Sequence, residues 1–147
     1  MDTTLAPAQA TDELELDELW TFVGQRVAKY WLWLALCRRT RQVVAYALGS
    51  RDAATALVLY QRLPLSYAFC RCHTDSWPAY GPALPAWQHA PSERAGPRNH
   101  VERLNATLRA RLGRLVRRTL SFSKCARMLE ACIRLFLYQY NLSIYPY

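Results

Sequence analysis

Long hydrophobic runs are missing from this chain of 147 residues, although 52% of the residues are hydrophobic. No apolar run reaches the ~18 residues that a membrane span needs, so we expect no transmembrane helix. The first ten residues lack a basic start and an apolar core, so we expect no secretory signal. The apolar fraction excludes a disordered tail, and the length predicts one domain with a sizeable core.

Acidic residues are scarce beyond residue 18. The chain has 11 acidic and 19 basic residues, and six of the acids precede Leu19. From Leu19 onward the net charge is therefore +14. A domain this basic is expected to bind a polyanion, and nucleic acid is the first candidate. The acids that remain in the basic part are Asp52, Asp75, Glu93, Glu102 and Glu130.

Paired cysteine motifs are also missing. The five cysteines are an odd number, which together with the missing signal indicates a reduced, cytoplasmic protein. Cys70-Arg71-Cys72-His73 has metal-ligating side chains, but they lie very close together and no second pair matches them. Free thiols in or beside a strand are therefore favoured over a structural zinc site.

Hydrophobic patterns predict an α/β fold. Strands are expected over residues 13–23, 30–37 and 42–48. Because their connections are short, they should form an antiparallel meander. A helix over 53–63 follows, with Ser50 or Asp52 as its N-cap. It permits a fourth strand, over 67–73, to lie parallel to the first through a right-handed crossover.

The second half of the chain is predicted to be mainly helical. We expect a short helix over 76–84, a Pro-rich loop region over 80–98 with an optional strand at 86–90, and helices over 99–116 and 121–141. Residues 1–12 are expected to be a flexible lead-in and residues 13–147 the folded domain. Ribonuclease-H-like folds, mixed sheets flanked by helices, use this order of elements.

Three carboxylates occupy positions that a solvated surface would not predict. Asp17 lies inside the first strand, Asp75 follows the fourth, and Glu102 lies in the first turns of an arginine-rich helix. If those strands are neighbours, Asp17 and Asp75 can meet, and a packed helix can bring Glu102 over them. Converging carboxylates repel one another unless a cation compensates them. Mg²⁺ accepts such ligands, and two ions about 4 Å apart serve phosphodiester chemistry.

Each of these acids also has an ordinary interpretation. Asp17 fits a solvent-facing strand residue like Glu13 and Glu15, and Asp75 fits an N-cap for the helix after it. Glu102 fits a helix-start acid or a partner for nearby arginines. The weaker candidates for a site are Glu13, Glu15, Glu18 and Asp52, and the last of these is better explained as a cap.

Five ordered blocks resemble the catalytic part of the insertion-sequence-one family of bacterial transposases, the product of its second reading frame. They span roughly residues 13–140 in the family's order. The blocks are Leu16-Asp17-Glu18-Leu19-Trp20 with Val23-Gly24, Tyr30-Trp31-Leu32-Trp33, Thr74-Asp75-Ser76-Trp77-Pro78-Ala79-Tyr80, Val101-Glu102-Arg103-Leu104-Asn105-Ala106-Thr107-Leu108-Arg109-Ala110-Arg111-Leu112, and Arg117-Arg118-Thr119-Leu120-Ser121-Phe122-Ser123-Lys124.

The resemblance implies a DDE-type transposase on a ribonuclease-H-like fold that cleaves DNA strands and transfers them. Asp17, Asp75 and Glu102 would be its catalytic acids and would bind two Mg²⁺ ions, with Mn²⁺ as a substitute. Arg109 matches a basic residue two helical turns beyond the glutamate. That spacing returns it to the same helix face, where it would hold a phosphate.

The resemblance also implies partners: element ends and target DNA, further copies of the chain on DNA, and an upstream-frame recognition domain joined by fusion. Residues 1–12 are too short to be such a domain, so we expect the chain alone to cut poorly and to lack end specificity. Its location would be the bacterial cytoplasm, at the nucleoid. The alternatives are a ribonuclease-H-like nuclease and a non-catalytic, regulatory DNA-binding product.

Basic residues are concentrated between residues 94 and 134, where eleven face only two acids. A solvated helix face is one interpretation, and a phosphate-binding ridge is favoured because so few acids compensate it. Trp77 is a candidate for base stacking or for packing, and His73 and His100 for phosphate contacts. The candidate DNA-binding residues are Arg103, Arg109, Arg111, Arg114, Arg117 and Arg118.

Overall fold

Five strands form one sheet in a computed structural model that describes residues 2–93, 98–115 and 122–144. Their spatial order is β3-β2-β1-β4-β5. The first three are antiparallel, whereas β4 is parallel to β1 and β5 is parallel to β4. The strands are β1 (Glu13–Val23), β2 (Gln25–Cys37), β3 (Val43–Gly49), β4 (Arg71–Thr74) and β5 (His89–Pro91).

Helices cover both faces of this sheet. The first helix connects β3 to β4, which allows the parallel pairing of β4 with β1. Asp52 is its N-cap, because its Oδ1 accepts a hydrogen bond from the Thr55 amide at 2.9 Å. The mixed sheet and flanking helices confirm the predicted ribonuclease-H-like α/β arrangement. The helices are α1 (Ala53–Gln61), α2 (Tyr80–Ala83), α3 (Asn99–Arg111) and α4 (Ala126–Ile144).

Two apolar layers hold the helices to the sheet. Leu14 and Leu16 of β1 point into the layer that contains residues of α1 and α2. Leu19, also on β1, points the other way, into the layer that contains residues of α3 and α4. Alternation along a strand predicts Leu14 and Leu16 on one face and Leu19 on the other, and the structure confirms these two faces. A fully buried leucine contributes about 1.5–3 kcal/mol, so both layers bear on stability.

The β1–β2 hairpin is longer than the sequence pattern indicates. The second strand was expected from residue 30, whereas β2 begins at Gln25. Gly24, with φ of 71°, makes the turn, and Val23 pairs with Gln25. Residues 25–29 are exposed, and the partners of Gln25 and Lys29 lie in β1 alone, so this stretch lacks the apolar pattern by which buried strands are recognised.

Several element boundaries also differ from the predicted ones. A 3-10 turn at Leu65–Tyr67 follows Pro64, so β4 begins only at Arg71. Helix α3 ends at Arg111 and is followed by another 3-10 turn. Helix α4 begins at Ala126 instead of 121, since buried Ser123 forms a β-bridge with Val23. Residue 121, where this helix was expected to begin, lies outside the described residues.

The segment before β1, which belongs to the predicted lead-in, makes contacts with the sheet. Thr4 and Ala6 are buried, and the Gln42 side chain bonds to both of their backbones at 2.6 and 2.8 Å. Asp12 is buried in an ion pair with Arg39. The domain boundaries themselves stay predictions. None of the described helices is long and apolar enough to cross a membrane.

Candidate metal site at the junction of β1 and β4

The register between β1 and β4 brings two of the predicted acids together. Glu15 pairs with His73 at the last matched position of the parallel ladder. If this register is continued by two residues, it places Asp17 of β1 opposite Asp75, which follows β4. Because β4 ends at Thr74, Asp75 lies just beyond the strand, at the edge where β1 continues without β4 and pairs with β2 only.

Asp17, Glu18 and Asp75 form a compact group that we call the acid cluster. Each residue places one carboxylate oxygen within 4.8 Å of the others. The predicted meeting of Asp17 and Asp75 is thus observed. Glu18 was only a weaker candidate, because neighbours along a strand point to opposite faces. The signal that could have found it is its position next to Asp17 where β4 has ended.

Asp17 lacks full compensation for its charge. Burial, followed by the negative charge of Glu18, raises the pKa of its carboxyl to about 7, and the charge of Asp75 acts more weakly in the same direction. Arg98 opposes this rise, with Nη1 at 3.7 Å from Oδ1. The amide of Asn105 donates to Oδ2 at 2.7 Å and fixes the orientation of the carboxylate. A cation would stabilise the ionised form here.

Glu18 is held from the opposite side of the sheet. Its side chain is 1% exposed, and it accepts hydrogen bonds from the Tyr80 hydroxyl at 2.7 Å and from Arg51 at 2.9 Å. The Arg51 guanidinium lies 4.7 Å from the Trp31 ring centroid and 3.9 Å from that of Trp77. Trp77 therefore packs on a cation, which favours its packing interpretation over base stacking.

Asp75 does not cap the helix that follows it. Helix α2 begins at Tyr80 with Ala79 as its N-cap, later than the predicted residue 76. Instead, Asp75 Oδ1 accepts a hydrogen bond from the Trp77 amide at 3.0 Å, which holds the turn after β4. This contact leaves the second carboxylate oxygen without a hydrogen bond from the described residues.

Glu102 lies on α3 beside the acid cluster but is not part of it. Its side chain is 40% exposed, and Oε1 is 3.6 Å from Arg98 Nη1. The same nitrogen is 3.7 Å from Asp17 Oδ1, so Arg98 lies close to both carboxylates. Sequence reasoning missed Arg98, although its i,i+4 spacing from Glu102 is an available signal. The metal-binding role of Glu102 stays a prediction.

Glu15 fixes α3 against β1. We considered a solvent-facing position for this residue, but it is fully buried. Its Oε2 accepts hydrogen bonds from the His100 and Val101 amides, both at 2.9 Å, while Oε1 accepts one from Arg38 at 3.1 Å. A carboxylate at the first turn of a helix also complements the helix dipole. Glu15 thus sets the position of α3, and with it that of Glu102.

The candidate DNA-binding arginines fall into two groups. Arg103 and Arg111 are exposed on α3. Arg109 donates to the carbonyl oxygens of Leu115 and Trp20 at 3.2 and 3.5 Å, and Arg114 donates to the Ser123 hydroxyl at 3.4 Å, so these two also connect chain segments. Arg117 and Arg118 lie outside the described residues. DNA contact by all six stays a prediction.

The acid cluster fits a hard divalent cation by its donor chemistry. All donors are carboxylate oxygens, and burial together with the charge of Glu18 raises the pKa of Asp17, so a cation would favour its ionised form. Mg²⁺ and Mn²⁺ favour such oxygen ligands and retain waters and phosphates as the others. The fold and this cluster together define a ribonuclease-H-like protein with a carboxylate site.

The particular family follows from sequence comparison. The family model described as IS1 transposase matches residues 13–142, and the chain belongs to this family. It is 36% identical over 124 residues to the iso-IS1n protein InsB of Shigella dysenteriae, covering 84% of this chain and 92% of that protein. It is 40% identical over 121 residues to the IS1 protein InsB of Shigella flexneri, covering 81% and 88% respectively.

Proposed function

We propose that this chain is the catalytic domain of a DDE-type transposase that cleaves DNA at the ends of an insertion element and transfers them to target DNA. The observation that supports the proposal most is the convergence of Asp17 and Asp75 at the β1–β4 junction, within a member of the IS1 transposase family. In a domain this basic, the basic residues can bind the phosphates of DNA while such acids bind the metal ions that act on them.

In this proposal Asp17, Asp75 and Glu102 bind the metal ions. Glu18 supports this group of ligands from the opposite side of the sheet. When bound, the ions supply activation of the attacking oxygen and stabilisation of the leaving oxygen. Asn105 orients Asp17 through its hydrogen bond at 2.7 Å. Glu15 keeps α3, and therefore Glu102, close to the sheet.

The basic residues of α3 serve the DNA backbone in the same proposal. Exposed Arg103 and Arg111 hold phosphates without reading the sequence. Recognition of the element ends comes from an upstream-frame domain, and several copies assemble on DNA at the nucleoid of a bacterial cytoplasm. Cleavage by the chain alone is then expected to be slow and unselective.

A cleavage and joining assay with matched variants tests the proposal. Supercoiled DNA and labelled oligonucleotide ends are incubated with the chain in Mg²⁺ or Mn²⁺, and nicked and joined products are measured. Asp75→Asn keeps an acceptor for the Trp77 amide but loses a charged ligand. We expect a loss of about a hundredfold or more, since even outer-shell partners of metals are worth about 10–100-fold.

Asp52→Asn is the control, because Asp52 is exposed and asparagine caps a helix equally well. It should retain the activity of the unmodified chain. Hydrolysis without joining under every condition would instead support the nuclease alternative. DNA binding without cleavage, unaffected by Asp75→Asn, would support a regulatory DNA-binding product and contradict the catalytic proposal.

A further inference from the structure

A basic pocket of about 280 Å³ lies between the β2–β3 turn, α3 and the end of α4. This is near the lower end of the volumes that enclose small ligands, about 300–1,000 Å³. Leu36 and Leu104 contribute an apolar side. The polar groups of what we call the basic pocket come from Arg41, His100, Arg103 and Tyr140.

The positive charge of the basic pocket is not balanced locally. No acidic residue lines it among the described residues, and within them neither Arg41 nor Arg103 forms an ion pair. Glu15 lies nearest, with Oε1 at 3.9 Å from His100 Nε2, but its oxygens already accept hydrogen bonds from two backbone amides and Arg38. Burial, with Arg41 and Arg103 adding to it, lowers the pKa of His100.

Arg41 combines an unusual backbone angle with a buried guanidinium nitrogen that has no hydrogen-bond partner among the described residues. A ligand in the pocket would supply that partner. The Arg41 φ of 64° lies in the left-handed region, which residues other than glycine, asparagine and aspartate seldom adopt. Its Nη1 is buried and has no hydrogen-bond partner among the described residues. Leaving a charged donor unpaired is costly, so an acceptor in the pocket would offset that cost.

The basic pocket lies on the opposite side of α3 from the acid cluster. At 100° per residue, His100 and Arg103 project about 140° and about 160° away from Asn105, whose amide contacts Asp17 of the acid cluster. A helix with its side chains is about 10–12 Å wide, so a group bound here is separate from the proposed metal site. A ligand of the pocket therefore makes a contact additional to any at the acids.

We infer that the basic pocket binds the phosphate group of a nucleotide, either within a DNA strand or as a free nucleotide. Two guanidinium groups match the oxygens of a phosphate in geometry and charge. Burial raises the pKa of Tyr140, so its hydroxyl stays protonated and can donate as well. The apolar side formed by Leu36 and Leu104 suits the sugar or base attached to that phosphate.

Binding is tested without any catalytic readout. Inorganic pyrophosphate is titrated into the full chain while the His100 ring signals are followed by NMR, and the affinity is measured by calorimetry. Two variants remove one guanidinium each: Arg103→Gln on an exposed helix face, and Arg41→Asn, which suits the left-handed backbone. We expect each to weaken pyrophosphate binding about tenfold or more, because hydrogen bonds to charged groups are strong.

Arg127→Gln is the control, since Arg127 is an exposed arginine of α4 outside the pocket. The inference fails if the His100 signals do not respond, or if Arg127→Gln weakens binding as much as the pocket variants do. Asp75→Asn should leave the response intact, so the pocket and the proposed catalysis can fail separately.

Oligonucleotide binding then distinguishes the two sources of phosphate. If the ligand is DNA, the affinity of Arg41→Asn falls less steeply as the salt concentration rises. The magnitude of the slope of log affinity against log salt decreases by about 0.7–0.9 for each phosphate that the pocket no longer neutralises. If Arg41→Asn abolishes pyrophosphate binding but leaves oligonucleotide binding unchanged, the ligand is a free nucleotide.

Discussion

Arg98 lies beside two of the three predicted metal ligands of the candidate site. Its Nη1 lies 3.7 Å from Asp17 and 3.6 Å from Glu102, and its side chain is only 12% exposed. Its Nε is buried without a hydrogen-bond partner among the described residues. The guanidinium thus supplies a positive charge where two of the predicted metal ligands approach each other. A cation that binds both carboxylates has to compete with it.

Arg98→Gln is predicted to tighten divalent metal binding in the absence of DNA. The Arg98 guanidinium lies within 4 Å of both carboxylates and repels a cation that approaches them. Removing this charge favours metal binding by the equivalent of one pK unit or more, which is about tenfold in affinity. Mn²⁺ affinity, measured by electron paramagnetic resonance, checks this. Arg111→Gln, at the exposed end of the same helix, should leave it unchanged. Weaker binding in Arg98→Gln would show that Arg98 organises the acids.

Among single residues, the sequence indicated Asp17 and Asp75 through their positions at a predicted strand and a strand end. Arg98 and Asn105 were missed because their roles depend on how α3 lies on β1. That placement in turn depends on Glu15, whose buried carboxylate accepts the first amides of α3. Helix spacing alone does not reveal a cap supplied by a strand 85 residues earlier in the chain.

At the scale of elements, β1 carries most of the organisation of the site. Its first three residues, 13–15, pair with β4, and the rest of the strand continues with β2 alone beyond the end of β4. The acid cluster lies at this change of pairing. The extension ends at Gly24, whose φ of 71° closes the hairpin.

Gly24→Ala is predicted to lower the free energy of unfolding by about 1–2 kcal/mol, the cost of a left-handed backbone for a residue with a Cβ. An added Cβ would meet nothing within 4 Å, so contacts should not contribute. Gly81→Ala is the matched control, because its Cβ also meets open space but it lies in helix α2 at an ordinary φ. It should stabilise by about 0.4–1 kcal/mol. Urea denaturation of both variants measures these changes, and equal effects would contradict the backbone explanation.

At the scale of the whole molecule, the segment before β1 links distant parts of the fold. The Gln42 side chain joins the backbone of Thr4 to that of Asn141 at 2.6 and 3.2 Å. Asp12 adds an ion pair with Arg39 at 2.6 Å. These contacts connect the two ends of the described chain through the β2–β3 region, although the first twelve residues carry no strong periodic pattern.

The Asp12–Arg39 pair is predicted to make stability fall in acid. The hydrogen bond that Arg39 donates to Asp12 lowers the pKa of the Asp12 carboxyl below its ordinary value of 3.8. The unfolded chain then binds the proton more readily, so the contribution is complete above about pH 4 and is lost as the pH falls through the folded-state pKa. Asp12→Asn should therefore be less stable than the unmodified chain at pH 7, and the difference should shrink at pH 3.

Urea denaturation at both pH values measures this difference. Glu93→Gln is the control, since Glu93 is exposed and its replacement should shift stability little at either pH. A difference for Asp12→Asn that stays constant between pH 7 and pH 3 would contradict the role of the ion pair.

The sequence by itself determined the order of elements, the two faces of β1, the family and the basic character of the chain. These follow from local periodicity, from composition and from ordered motifs, which need no knowledge of distant contacts. The tertiary structure alone decided that Asp17 and Glu18 meet Asp75, that Arg98 lies beside Asp17, and that Arg41 meets α3 in the basic pocket. Each of these results from packing between segments far apart in the chain, where register and helix placement decide which side chains meet.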